Sequence, residues 1–244
     1  MSNISNVSLS QATALERSLS MTAHNIANAN TAGYKAIQPL FESIDHEVGA
    51  ENVSFVLDRG SYLDLNKGAL MPTGNPLDIA LAGDGWLSFQ FDGGEVGYSR
   101  HGRLVVDVDG RLKTTGGRPL LDAGGGPVQL PDDVGQDVTI TSGGTITDAN
   151  GAILGNIGVL TIEQGARMLP LGGGMYQLPE DAAAPQQSAN PQVKQGFVES
   201  SNVEAVLEMT RLIDIQRAYE NSVKLMNEDD GLTKTAIQRL GRTE

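Results

Sequence analysis

Acid–base or metal chemistry near neutral pH would have to begin with the chain's three histidines, His24, His46 and His101. They are widely separated and none stands in an H-E-x-x-H or other paired-ligand spacing, so surface or structural roles are expected for all three. Gly97-Tyr98-Ser99-Arg100-His101-Gly102 places a serine between glycines, but the spacing does not suit a nucleophile elbow and no helical pattern follows. A hairpin loop is expected there. Asp107-Val108-Asp109-Gly110 opens like a calcium loop, yet the later glutamate is missing and the flanks read as strands, which favours a plain β-turn. The glycine runs Gly124 to Gly126 and Gly172 to Gly174 lack the lysine and helix start of a phosphate loop and are expected as turns. No catalytic residue, cofactor site or metal ligand is assigned, and the chain is read as a non-enzyme.

Composition narrows the partners. A formal net charge of −13 without a long basic cluster makes nucleic acid and anionic membrane surfaces poor partners. Cysteine is absent, which removes disulfides, thiolate metal sites and cysteine nucleophiles. No run of about 18 apolar residues exists, so no membrane-spanning segment is expected. The N-terminal segment also lacks the basic-then-apolar pattern of a cleavable secretory signal, so work outside the cytoplasm would need another export route. With 30 glycines, 10 prolines and 5% aromatic residues, short strands joined by turns are favoured over a helical bundle.

Two helical patterns bracket the chain. Ala12, Leu15, Leu19, Thr22 and Ile26 recur at spacings of three and four and predict a helix from about Ser8 to Asn28. Ser8 and Gln11 would form its capping box, and the Asn-rich run to Gly33 would end it. A second helix is expected from about Ser201, with Ser201 and Glu204 at capping-box spacing. Ala205, Met209, Leu212, Gln216, Tyr219, Val223 and Met226 then keep a four-three heptad, and Val206 and Ile213 widen its apolar face. Lys224, Lys234, Arg239 and Arg242 gather toward the end, as the helix dipole favours. Carried to Leu240 this helix would be about 60 Å long, with Asp229-Asp230-Gly231 its weakest point. The N-terminal helix spans only about half as many residues, so intramolecular pairing would leave part of the longer stripe without a partner.

Between them the pattern is β. Tyr34 to Pro76 reads as an irregular connector with possible short strands at Val53 to Leu57 and around Ser61 to Leu65. From Asp78 onward short alternating segments follow one another: Trp86 to Phe91, Arg103 to Val108, Arg111 to Thr114, Val138 to Thr141, Ile146 to Thr147, Ala152 to Leu154 and Ile157 to Ile162. Turns such as Asp92-Gly93-Gly94, Asp109-Gly110 and Asn150-Gly151 separate them, which favours antiparallel pairing. Pro179 to Pro191 reads as an exposed linker. The expected class is α+β: paired N- and C-terminal helices, coiled-coil-like, around a mainly antiparallel β domain. The expected division is 1–35 with 195–244 as a discontinuous helical assembly domain, 36–76 as connector, 77–178 as the β-rich outer domain and 179–194 as linker.

These motifs resemble the axial proteins of the bacterial flagellum, the rod and hook subunits. Asn25-Ile26-Ala27-Asn28-Ala29-Asn30-Thr31-Ala32-Gly33-Tyr34-Lys35 is similar to the family's N-terminal signature. Glu199-Ser200-Ser201-Asn202-Val203-Glu204 and Glu208-Met209-Thr210 to Arg217-Ala218-Tyr219-Glu220 are similar to its C-terminal one. Thr73-Gly74-Asn75-Pro76-Leu77-Asp78-Ile79-Ala80-Leu81-Ala82-Gly83-Asp84-Gly85-Trp86 and Tyr98-Ser99-Arg100-His101-Gly102 resemble the middle block that rod and hook proteins share. Length argues against hook protein, and Asn52 to Asp58 with Gly60 to Asp64 is more similar to proximal than to distal rod subunits. Met1-Ser2-Asn3-Ile4-Ser5 departs from the more apolar start usual in the family.

The resemblance implies a structural subunit of the basal-body rod that crosses the periplasm. It also implies partners that are other copies of the chain and neighbouring rod proteins, and passage through the flagellar export apparatus without signal cleavage. No small-molecule substrate is implied. Leu15, Leu19, Ile26, Asn28, Val206, Met209, Leu212, Ile213, Tyr219 and Val223 are the expected assembly contacts. The alternatives are a distal-rod or hook-type axial subunit, a secreted glycan-acting or carbohydrate-binding β protein, for which no carboxylate pair is identifiable, and a soluble adaptor using its helices to bind one partner.

Overall fold

The computed structural model describes residues 3–48, 51–91, 93–131, 138–163 and 166–241, without the side chains of 3, 4, 46–48, 51 and 52. Asp92, Arg242 and the first two residues of the chain therefore lie outside the described residues, as does the side chain of His46. The chain divides into two compact units. One is residues 1–27, 37–64 and 204–244; the other is 28–36 with 65–203.

The first unit contains α1 (Asn3–Ala27), β1 (Ile37–Val48), β2 (Glu51–Leu63) and, from the far end of the chain, α2 (Ala205–Leu240). Helix α1 is already formed at Asn3, so Ser8 and Gln11 do not start it; Ser8 is instead buried on its side. Some of the helix's hydroxyls bond to its own backbone, Ser18 donating to the Ala14 carbonyl at 3.0 Å and Thr13 to that of Leu9 at 2.9 Å. Helix α2 starts at Ala205 rather than Ser201, and Glu204 at its N-cap makes no side-chain capping bond. The Ser201 hydroxyl accepts from the Val203 amide at 3.1 Å and so shapes a turn before the helix. Gly231 does not interrupt α2, which at about 1.5 Å per residue is about 54 Å long.

The segment read as an irregular connector holds the longest hairpin of the molecule. Strands β1 and β2 pair antiparallel from Ile37 opposite Leu63 to Val48 opposite Glu51, with a bulge at Leu40/Phe41. On β2, Val53, Phe55 and Leu57 are half-buried and alternate with exposed neighbours, whereas β1 shows no such alternation from Gln38 to Asp45. The ribbon packs on α1, where Arg17 pairs with Asp58 at 2.8 Å.

Among its described residues the second unit's regular elements are all strands: β3 (Leu70–Pro72), β4 (Ile79–Leu81), β5 (Trp86–Gln90), β6 (Val96–Ser99), β7 (Leu104–Val106), β8 (Leu112–Thr114), β9 (Thr139–Ile140), β10 (Thr145–Thr147), β11 (Ile153–Asn156), β12 (Val159–Thr161), β13 (Leu169–Gly172), β14 (Met175–Gln177), β15 (Gln186–Gln187), β16 (Val193–Gln195) and β17 (Phe197–Glu199). Its largest sheet runs β13-β14-β6-β5-β12-β15, and every neighbouring pair is antiparallel. Tyr98 and Ser99, expected in a hairpin loop, lie on buried strand β6. The stretch read as a linker is partly built in, since β15 extends the sheet and β16 pairs with β4. Ile79, Leu87, Phe89, Leu104, Leu120 and Ile146 are all fully buried in one apolar core.

One turn with Asp or Thr in first place recurs among the described residues, at 107–111, 114–118, 122–126, 141–145 and 148–152. In each, the first residue's N–H reaches the carbonyl of the fifth residue, and the fourth is a glycine whose N–H returns to the first residue's carbonyl. Those glycines, Gly110, Gly117, Gly125, Gly144 and Gly151, have φ between 77° and 86°, the left-handed region that a three-residue hairpin requires. The first three turns carry a closed ring of hydrogen bonds. Leu112 donates to Val128, Val128 to Leu120 and Leu120 to Leu112, at 3.0, 2.9 and 2.8 Å. At Asp107 the carboxylate accepts from the Arg111 and Asp109 amides at 2.8 and 2.9 Å, which holds its pKa below the usual carboxylate value. The resemblance to a calcium loop is thus the chemistry of a turn.

Candidate assembly interface

The antiparallel arrangement of α1 and α2 is fixed where Asn25, near the end of α1, donates to Glu208, near the start of α2, at 3.3 Å. The same amide donates to the Ile37 carbonyl at 3.0 Å and accepts from the Ile37 amide at 2.9 Å, so one side chain ties α1 to both β1 and α2. Arg211 completes the group, reaching Glu208 at 3.5 Å and Gln38 at 2.9 Å. Burial of Asn25 and Glu208 is possible because each polar atom finds a partner.

Along α2 the buried or half-buried positions are Ala205, Glu208, Leu212, Ile215, Ala218, Tyr219, Ser222, Val223, Met226 and Asp229. This seam shares Ala205, Leu212, Tyr219, Val223 and Met226 with the stripe read from sequence, but has Glu208 and Ile215 in place of the exposed Met209 and Gln216, and adds Ser222. The seam is therefore rotated toward smaller and more polar residues, with Ser222 2% exposed and Met209 51% exposed. Helix α1 contributes Ser8, Ala12 and Thr22 among its buried residues, and small side chains let packed helices approach closely.

The rotation leaves an apolar flank open. Val206, Leu207, Met209 and Ile213 are exposed in the first turns of α2, and Tyr219 and Val223 line a shallow groove with Lys224 and Asn227 farther along. Every described residue from Asp230 on is exposed, Leu232, Ile237 and Leu240 among them. The 25 residues of α1 cannot span the 36 of α2.

Of the residues expected to make assembly contacts, Val206, Met209 and Ile213 lie on this open flank, and Leu212, Tyr219 and Val223 are half-buried. Leu15, Leu19 and Ile26 are half-buried on α1. Asn28 belongs to the second unit, where it accepts a hydrogen bond from the Thr31 hydroxyl at 3.1 Å and shapes the turn after α1.

Sequence reasoning assigned no role to a buried ionic cluster in the second unit. Glu199 on β17 accepts from Lys35 at 2.7 Å through one carboxylate oxygen and from Arg100 at 2.6 Å through the other. Arg100 also donates to the carbonyls of Leu81, Gly83 and Gly85 at 2.9, 2.7 and 3.0 Å, and these dipoles offset its charge. Tyr176 sits beside them, fully buried, its hydroxyl accepting from the Lys35 amide at 2.8 Å; desolvation raises its pKa well above the ordinary phenol value. The available signal was the presence of Lys35, Arg100 and Glu199 inside three motif segments in which the one other Lys, Arg, Asp or Glu is Glu204. Among the described residues no group of three His, Cys, Asp or Glu could hold a metal, and no helix is long and apolar enough to cross a membrane.

The three segments joined by this cluster are those that comparison with known proteins matches. Residues 6–35 match the family described as flagella basal body rod protein, 80–148 the flagellar hook protein FlgE/F/G D1 domain, and 194–239 the flagellar basal body rod FlgEFG protein C-terminal family. The flagellar basal-body rod protein FlgF of Mesorhizobium japonicum is 37% identical over 96% of both chains. That of Caulobacter vibrioides is 36% identical over 99% of both. The chain belongs to the flagellar basal-body rod protein family. The rod protein FlgG of Agrobacterium fabrum is also similar, 32% identical over 93% of this chain and 95% of its own. Family membership accounts for both terminal signatures: Asn25 and Glu208 join in the helical unit, and Lys35 and Glu199 in the β unit.

Proposed function

We propose that the chain is a non-enzymatic structural subunit of the flagellar rod, polymerising through its terminal helices with other copies and with neighbouring rod proteins into the helical shaft that transmits torque. The observation that carries this reading is the open flank and overhang of α2, an apolar surface on a helix whose own partner is too short to cover it. Contacts of this kind that repeat without closing generate a helical polymer, and packed side chains resist deformation under torque. Val206, Met209, Leu212, Ile213, Tyr219 and Val223 on α2, Leu15, Leu19 and Ile26 on α1, and Asn28 are the contacts assigned to it.

The proximal rod is the position favoured, supported by the 36–37% identity to FlgF proteins over nearly full length against 32% to the FlgG protein. The periplasm-crossing rod is then its location, reached through the flagellar export apparatus without signal cleavage. An electron-microscopy map of assembled basal bodies tests the assignment. Density for this chain at the proximal level of the rod is expected. Its presence only at the distal level would transfer it to the distal role, and its absence from the rod would end the proposal.

A further inference from the structure

The chain passes between its two units at four places, after residues 27, 36, 64 and 203. On the β-unit side, the segments containing residues 36, 65 and 203 are bound to one another by a small group whose centre, Lys35 and Glu199, is buried and whose edge, Asn66 and Asn202, is exposed or half-buried. Lys35 donates to the Asn66 carbonyl at 2.6 Å and to Glu199 at 2.7 Å. Glu199 accepts from the Gly68 amide at 3.0 Å. Asn202 accepts from the Ala36 amide at 2.8 Å and donates to the Asn66 carbonyl at 3.1 Å. Three segments distant in sequence thus share donors and acceptors just where each leaves the β unit.

We propose that Lys35, Asn66, Glu199 and Asn202 form a clamp that keeps these crossing segments from separating when the subunit is under mechanical load. The chemistry suits that task. Charge-assisted bonds shielded from water are short and strong, and opening them would leave buried charges without compensation. Apolar contacts alone would allow the segments to slide, whereas these bonds are lost abruptly on displacement. The load in question is torque in the rod, so this mechanical role rests on the function proposed above; the clamp itself does not.

The test uses the full-length chain with Asn202→Ala, and Glu199→Gln beside it. Amide hydrogen exchange is followed at Gly33 and Gly68, whose N–H groups bond to Glu199 and not to the Asn202 side chain. If the group acts as one clamp, N202A speeds exchange at both by about tenfold or more while Leu120 and Val128 in the core stay unchanged. Unchanged exchange at Gly33 and Gly68 overturns the clamp. Should E199Q fail to fold, N202A still decides the matter.

In cells, N202A is expected to enter the rod and to match wild-type swimming in dilute medium, then to fall behind as viscosity rises. Equal swimming at every viscosity, with the exchange effect present, overturns the mechanical role. Failure of the unmodified chain to enter the rod would overturn the rod reading instead and leave the exchange result standing.

Discussion

Lys35 and Glu199 are 164 positions apart in sequence and 2.7 Å apart in the fold, with side chains 1% and 0% exposed. Arg100 reaches the other oxygen of the same carboxylate, so one anion serves two cations in a site without water access. Removing that anion should cost far more than the pair contributes. Glu199→Gln is expected to destabilise the protein by about 3–5 kcal/mol, because two buried cations lose their counter-charge. Urea unfolding followed by tryptophan fluorescence measures it, since Trp86 is buried in the same unit. A loss below about 1 kcal/mol would contradict this account of the cluster.

The open flank of α2 separates assembly from stability. Val206 and Ile213 are 79% and 49% exposed, so Val206→Asp and Ile213→Asp should change unfolding free energy by less than about 0.5 kcal/mol. Both should nevertheless block rod incorporation and motility. Leu212→Asp and Val223→Asp should also block incorporation, with some cost to the helix pair because both residues are half-buried. Normal assembly of the Val206 and Ile213 variants would remove the flank from the interface.

Gly33 is held at φ +68°, and a Cβ there would lie 2.3 Å from the Arg100 carbonyl carbon. Gly151 has φ +82° with open space around it. Gly33→Ala should therefore destabilise by clearly more than Gly151→Ala, whose cost is the backbone term of about 1 kcal/mol. Parallel thermal unfolding of the two variants gives the comparison.

His101 is held below its ordinary pKa of 6.5, first by burial and then by Arg103, with Asp78 opposing. The unfolded chain consequently binds a proton more readily than the folded one. This contribution to stability is complete above pH 6.5 and is lost as pH falls through the lower, folded-state pKa. The urea midpoint should fall between about pH 7.5 and about pH 5.5, and His101→Gln should flatten that part of the profile. An unchanged slope in the variant would assign the acid sensitivity to other groups.

Without neighbours, the overhang of α2 has no partner helix, so limited proteolysis of the monomer should cut first in α2 beyond Asp229, while α1 and roughly Leu77 to Leu178 resist. Protection of the end of α2 equal to that of α1 in a verified monomer would argue against an unpartnered overhang.

Much of the β unit was legible because its signals are local. Strands β5, β7, β8, β9, β10, β11 and β12 fall within or overlap the alternating segments read from the chain. Glycines at Asp109-Gly110 and Asn150-Gly151 mark turns for the same reason, a φ that other residues resist. The β1–β2 ribbon was legible only in part: the short strands read at Val53 to Leu57 and around Ser61 to Leu65 fall within or overlap β2, whereas β1 was read as irregular because its partner strand and α1 hold it in place.

Residue types and their spacing by themselves determined two terminal helices, an antiparallel β middle joined by glycine turns, and the family, since these depend on local periodicity and contiguous motifs. Tertiary structure decided which side of α2 is covered. The stripe through Met209 and Gln216 and the seam through Glu208 and Ile215 both satisfy heptad spacing, and only the partner across the seam, with Asn25 supplying a hydrogen bond to Glu208, selects between them. Tertiary structure also decided the roles of Lys35, Arg100 and Glu199. A buried charge is tolerable only beside its counter-charge, and no local pattern encodes a partner that lies 99 or 164 residues away.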